Sequence, residues 1–262
     1  MVKKVGKKRK LKLREKFFMV FLSIVIIITA ISNFYQFSKK SMLAFKLKTG
    51  SEILEKGFKN AIADNDTNSI TNTILWKVCD IRNIDNNSGK CETELKKYFM
   101  GVKTYKKKHR SEDTVNTYYN RNICKKLVGK SNMWWHLNSN SKCSGWDNYT
   151  FNFNNGMKAD ALIIGENDSY LAGQLIIDVN GDRAPNRWGR DTFMFNILKD
   201  GTMIPYAGMN DCSKLAKYTN NSIEYVLKQK HWKHANTCSS TTSSDGTACA
   251  ARIIENGWKM DY

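Results

Sequence analysis

The sequence predicts an α+β fold, a long N-terminal hydrophobic helix packed on a mostly antiparallel β-sheet head. Three observations lead there. A basic run precedes an uncharged apolar segment from Phe17 to Ile31, helical periodicity continues beyond that segment, and the second half of the chain holds short β-type runs separated by turn residues. With 262 residues, 41% of them hydrophobic, the chain has material for one large domain or two small ones and is not a disordered polymer.

The order of elements starts with charge. The formal net charge is +18, and residues 1–48 hold thirteen Lys/Arg against the single acid Glu15, which supplies +12 of it. The cluster Lys3, Lys4, Lys7, Lys8, Arg9, Lys10, Lys12, Arg14 and Lys16 makes residues 1–16 a basic leader that stays cytoplasmic by the positive-inside rule. Residues 17–37 follow as a transmembrane helix. At about 1.5 Å rise per residue, such a run covers roughly the 30 Å hydrocarbon thickness of a bilayer. A basic run before an apolar one also describes a cleaved secretory signal, but the apolar run is long and Ala30-Ile31-Ser32 makes a poor small-x-small cleavage site.

Residues 38–66 read as a helical stalk. Met42, Leu43, Phe45, Leu47, Ile53, Leu54, Phe58, Ala61 and Ile62 recur near helical spacing with lysines between them. Gly50 and Gly57 weaken this helix without ending it, and Asp64-Asn65-Asp66-Thr67-Asn68 is its polar stop. Residues 67–262 then form an extracytoplasmic globular head.

All seven cysteines, Cys79, Cys91, Cys124, Cys143, Cys212, Cys238 and Cys249, follow the apolar segment, and none shows the short paired spacing of a zinc ribbon. Disulfides in an oxidising compartment fit that placement, with reduced buried thiols as the alternative; the odd count leaves at least one thiol unpaired within the chain. The Ser/Thr stretch Ser239 to Thr247 reads as a loop closed by Cys238 and Cys249 or tied to Cys212.

Within the head, Ala161 to Ile164 and Tyr170 to Val179 are β-type runs joined by Gly165-Glu166-Asn167-Asp168-Ser169, a hairpin pattern. A second hairpin joins Phe193–Leu198 to Thr202–Tyr206 through Lys199-Asp200-Gly201, where Asp-Gly supplies the turn. The loop from Asp178 to Asp191 links the two. The span from Asn86 to Ser144 is polar, basic and without clear periodicity.

Several of these segments together resemble the type IV pilin and type II secretion pseudopilin family. In the head they are Gly173-Gln174-Leu175-Ile176-Ile177-Asp178-Val179-Asn180-Gly181-Asp182 with Pro185-Asn186, Gly189, Asp191 and Phe193, and the ending Cys249 to Tyr262. In the helix they are Asn33-Phe34-Tyr35-Gln36 followed by Lys39-Lys40. The resemblance implies a pilin-like fold, a single-pass protein of the bacterial cytoplasmic membrane with its head outside, and lateral partners of the same type. With Ser32 in the place of the family's helix proline, Glu15 falls at its assembly glutamate and Leu11 at the mature N-terminus. The sequence departs from the family at Lys10, which stands where the leader ends in a small residue, and at Lys12, Arg14 and Lys16.

Asp178, Asn180 and Asp182 alternate oxygen side chains, and Asp191 brings a further carboxylate, a donor set that suits calcium. No glutamate closes a twelve-residue loop, and Asn180-Gly181 and Pro185-Asn186 read equally as turn residues bonding their own backbone. Arg183, Arg187 and Arg190 stand ready to neutralise the same carboxylates. His231-Trp232-Lys233-His234 near Cys238 has no second ligand pair, so packing or solvent exposure explains it better than a metal. Lys103 to Arg110, with Tyr105, offers clustered cations to nucleic acid or an anionic glycan, but a solvated face explains such a run better. Trp134, Trp135 and Trp146 fit packing better than a sugar platform. No nucleophile elbow, phosphate loop or metalloprotease helix is present, so an exported hydrolase has no motif behind it. The sequence therefore leads to a structural or assembly subunit and not an enzyme, with calcium as its one cofactor candidate. The alternative is a permanently anchored binding protein for DNA or polysaccharide.

Overall fold

The computed structural model describes residues 13–79, 88–99, 101–106, 149–163, 171–181, 183, 187–206, 238, 246 and 248–262. Helix α1 runs unbroken over Leu13–Asp64. The chain divides into two compact units, Met1–Met42 and Leu43–Tyr262, so the boundary falls inside α1.

In the first unit, the helix carries large apolar side chains that are exposed on every side, from Phe17 at 78% through Ile26 and Ile28 to Phe37 at 71%. It is long and apolar enough to cross a membrane. In the second unit the same helix becomes one-sided. Leu43, Leu47, Gly50, Leu54, Gly57 and Ala61 are buried at alternating four- and three-residue steps, which keeps them on one stripe. The helix stops where the polar run was expected. Asp66 takes a left-handed backbone at φ 48°, Thr67 N–H bonds back to Ile62 O at 3.3 Å, and the Asn65 side-chain amide bonds Ala61 O at 2.8 Å.

After a 3-10 turn at Ile70–Asn72, helix α2 covers Ile74–Val78, capped by Thr73, whose hydroxyl accepts Trp76 N–H at 3.2 Å. Helix α3 covers Ser88–Tyr98, with Lys96 paired to Glu92 one turn back at 2.5 Å. Among the described residues six strands follow: β1 Val102–Lys106, β2 Tyr149–Phe153, β3 Lys158–Ile163, β4 Leu171–Asp178, β5 Thr192–Leu198 and β6 Met203–Pro205. They form one sheet in sequence order, each pair antiparallel. The two strand pairs read from the sequence are present as antiparallel β3–β4 and β5–β6; residues 164–170 of the first connection lie outside the described residues, and Gly201 supplies the positive φ of the second turn. Helix α4, Cys249–Glu255, precedes the C-terminal segment.

The core joins the α1 stripe to Phe153, Met157, Ala159, Leu175, Ile177, Phe193, Phe195 and Ile197 of the sheet region, with α3 and α4 closing its sides. The opposite face of the central strands is also buried, as Ile176, Met194 and Ile204 show. Such two-sided burial explains why β4 and β5 read as continuous apolar runs. The two helical glycines have a packing reason. A β-carbon on Gly57 would overlap the Phe99 ring, which itself stacks edge-on against Phe58 with centroids 5.2 Å apart. One on Gly50 would overlap the Met157 thioether.

Cys79 pairs with Cys91, bridging the end of α2 to α3, and Cys238 pairs with Cys249 at the start of α4. Cys124, Cys143 and Cys212 lie outside the described residues. α3 and β1 fall in the span that showed no periodicity. α3 is legible only afterwards, because Cys91, Leu95 and Tyr98 are its buried positions and the residues between them are mostly charged.

Two outcomes test this packing. Gly57→Ala is expected to lower stability by about 1–2 kcal/mol, because overpacking against a rigid ring outweighs the helix-propensity gain. Gly50→Ala is expected to be close to neutral, because Met157 is unbranched and can swing aside; equal losses in urea denaturation would contradict the assignment. Reducing either disulfide should cost about 3 kcal/mol, the loop-closure value for bridges 12 and 11 residues apart. Alkylation of the denatured protein before and after reduction checks both pairings.

Candidate functional site

Asp178 ends β4 and Asp191 immediately precedes β5, so the loop between them starts and finishes on neighbouring strands of the sheet. Both carboxylates are fully buried. Burying a charge this deeply requires local hydrogen bonds, and the loop provides them. Asp178 Oδ1 accepts Asn180 N–H at 3.0 Å and Gly181 N–H at 2.7 Å. Asp191 Oδ1 accepts Arg187 N–H at 2.7 Å, and its Oδ2 accepts the Asn180 side-chain amide at 3.0 Å. Val179 N–H closes onto Asp191 O at 2.8 Å. Asn180 therefore links the two carboxylates, one through its backbone and the other through its side chain.

Two glycines let this loop approach its surroundings. Gly181, at φ 64°, sits so close to Gly156 O that a β-carbon would overlap it, which presses the loop onto the β2–β3 turn. Gly189, at φ 74°, would place a β-carbon 2.6 Å from Cys249 Sγ and 3.1 Å from Gly246 O. The loop is thus seated against the Cys238–Cys249 disulfide and the start of α4.

The C-terminal segment completes the arrangement. Tyr262 is buried and its phenol donates to Gly189 O at 2.6 Å. Arg252 on α4 binds Asp261 through two nitrogens, Nε to Oδ1 at 2.7 Å and Nη2 to Oδ2 at 2.8 Å, and its guanidinium lies 5.0 Å from the Tyr262 ring centre. The two head regions that carry the family resemblance, read separately in the sequence, therefore touch each other at Gly189. Nothing in residue spacing announced that contact.

The calcium reading is tested by the donors. Asp178, Asn180 and Asp191 are brought together, while Asp182 lies outside the described residues. Asp178 Oδ1 and both oxygens of Asp191 already carry N–H donors of the loop, which is the arrangement of turn-locking side chains. Buried Lys158 stands opposite Asp178 in the β3–β4 register. Among the described residues, no group of three or more His, Cys, Asp or Glu side chains is placed to hold a metal ion.

Glu15 lies exposed in the first turn of α1, where a carboxylate complements the helix dipole. Of the basic segment, Lys103 to Lys106 belong to β1, and 107–110 lie outside the described residues, as do the tryptophans Trp134, Trp135 and Trp146 and the pair His231 and His234. On α3, Lys97 reaches both Asp64 at 3.0 Å and the Tyr98 hydroxyl at 2.8 Å, contacts that raise its pKa, the tyrosine bond foremost. No family model, curated protein or solved structure matches the chain.

The contacts of Tyr262 and Asp261 have a pH dependence. Burial pushes the Tyr262 phenol well above the ordinary tyrosine value. A raised acid pKa adds stability that is complete below the unfolded value, about pH 10, and is lost as pH rises beyond it. For Asp261, burial pushes upward, but the Arg252 hydrogen bonds and charge override it and hold the carboxyl below its usual range. That smaller contribution, from a half-exposed group, is lost as pH falls through the depressed value. Tyr262→Phe is expected to lower stability by about 1–3 kcal/mol and to flatten the alkaline limb of a melting-temperature profile; an unchanged limb would contradict the role. If loop hydrogen bonds alone satisfy the carboxylates, melting is the same in calcium and in chelator. A calcium-dependent rise would assign the loop a cation.

Proposed function

We propose that this chain is a structural or assembly subunit of a type IV pilus or type II secretion-like filament, pilin-like in its packing, anchored by a single pass with its N-terminus cytoplasmic and its head outside. One observation carries the reading: a single continuous helix exposes apolar side chains on all sides over Phe17 to Ile31 and contributes one stripe to the head core from Leu43 onward. A surface apolar all round is stable in lipid or among like helices and costly in water. The resemblance of the loop, the C-terminal segment and the helix exit supports the same assignment. In this reading the helix is stored in the bilayer and packs against neighbouring subunits as the filament grows. Glu15 sets register by pairing with a neighbour's freed N-terminus, where processing at Leu11 frees one; without processing the protein is a fixed anchor. Its work is assembly, so no catalytic group is assigned.

Alkaline carbonate extraction of native membranes and shearing of surface filaments test the proposal together. The expected result is a chain that resists carbonate and is cross-linked to other subunits in the sheared fraction, with Glu15→Leu keeping the first property and losing the second. Release by carbonate would sink the anchor. A carbonate-resistant chain that never enters filaments, and whose DNA or polysaccharide binding falls when surface lysines are removed, would establish the anchored binding protein instead.

A further inference from the structure

The uncharged apolar run from Phe17 to Ile31 is 15 residues, about 22 Å of helix, against a hydrocarbon core of about 30 Å. Filling that thickness draws about five further residues into the bilayer, which brings in Ser32, Asn33 and Gln36. At 100° per residue these three gather on one side of α1, while Ile31, Phe34 and Phe37 occupy the other. Lys39 and Lys40 follow on the polar side.

The hydroxyls earlier in the segment need no outside partner. Ser23 Oγ donates to Met19 O at 2.8 Å and Thr29 Oγ1 to Val25 O at 2.8 Å, each within the helix. No such bond forms at Asn33 or Gln36, whose side chains project outward as exposed amides. An amide in hydrocarbon without a partner costs several kcal/mol, on the order of 4–8 in a solvent that cannot hydrogen-bond. Lipid tails offer neither donor nor acceptor. A second Asn or Gln offers both, so an identical helix is self-complementary at this position.

We infer that α1 pairs with a second copy of this chain inside the membrane through Asn33 and Gln36, with Ser32 allowing close approach. This inference rests on the membrane-anchored reading and adds the partner and the residues of contact. The aromatic side, Phe34 and Phe37, stays toward lipid.

The test uses the full-length chain, labelled at its N-terminus with donor or acceptor fluorophore and reconstituted into phosphatidylethanolamine and phosphatidylglycerol vesicles. Energy transfer is followed as lipid is added, and carbonate washing reports insertion separately. Wild type should retain transfer on dilution. Asn33→Leu with Gln36→Leu should remain inserted yet need about tenfold more protein per lipid for equal transfer. Asn33→Gln with Gln36→Asn should restore it. Equal transfer in the double leucine variant would overturn the inference, because the association would then lie elsewhere, in the heads for instance. An inserted wild-type chain showing only random-proximity transfer would also overturn it, placing the amides in water at the interface. Failure of the wild type to insert would instead refute the membrane reading itself, and this pairing with it.

Discussion

Helix α1 changes the surface it presents partway along its length, and the core of the head is built on its second half. Over Phe17 to Ile31, α1 exposes apolar side chains on every side, a surface long and apolar enough to cross a membrane. From Leu43 the same backbone must be apolar on one stripe only, because a sheet covers one side and water the other. The helix itself is continuous over Leu13–Asp64. Gly50 and Gly57 are part of that solution. They lower intrinsic helicity, yet they let Met157 and Phe99 reach the backbone of a helix that already carries bulky side chains beside them.

A second constraint lies in the head. A sheet of strands in sequence order is tied mainly by neighbours, and its long β4–β5 connection needs its own fastening. Asp178 and Asp191 supply it from below by taking backbone N–H groups, and the C-terminal segment supplies it from outside through Tyr262. Because the Cys238–Cys249 disulfide is seated at Gly189, covalent closure and hydrogen bonding converge on one short stretch. Buried hydrogen bonds from side chain to loop backbone fix one conformation more than they add net stability.

What was legible in the sequence follows from which interactions are local. The apolar run, the stalk's helical stripe, its stop after Asp64 and the two strand pairs are all written in near-neighbour periodicity or turn chemistry, and each is present. The Cys238–Cys249 pairing was one of the alternatives the spacing left open; Cys79–Cys91 was not anticipated, because it joins elements whose mixed charge hides their period. The contact of Tyr262 with Gly189 spans 73 positions and depends on tertiary packing, so no window of sequence contains it. The loop carboxylates were visible as oxygen donors, but whether such oxygens meet N–H groups or a cation is decided by backbone geometry, as at Asp178 and Asn180.

The most direct measurement of the central claim is the N-terminal sequence and intact mass of the protein taken from native membranes. A chain starting at Met1 or near Leu11 keeps the whole apolar half of α1 joined to the head, as the account predicts. A start beyond Ile31 would show that the apolar half is removed before the head begins its work, and would contradict it.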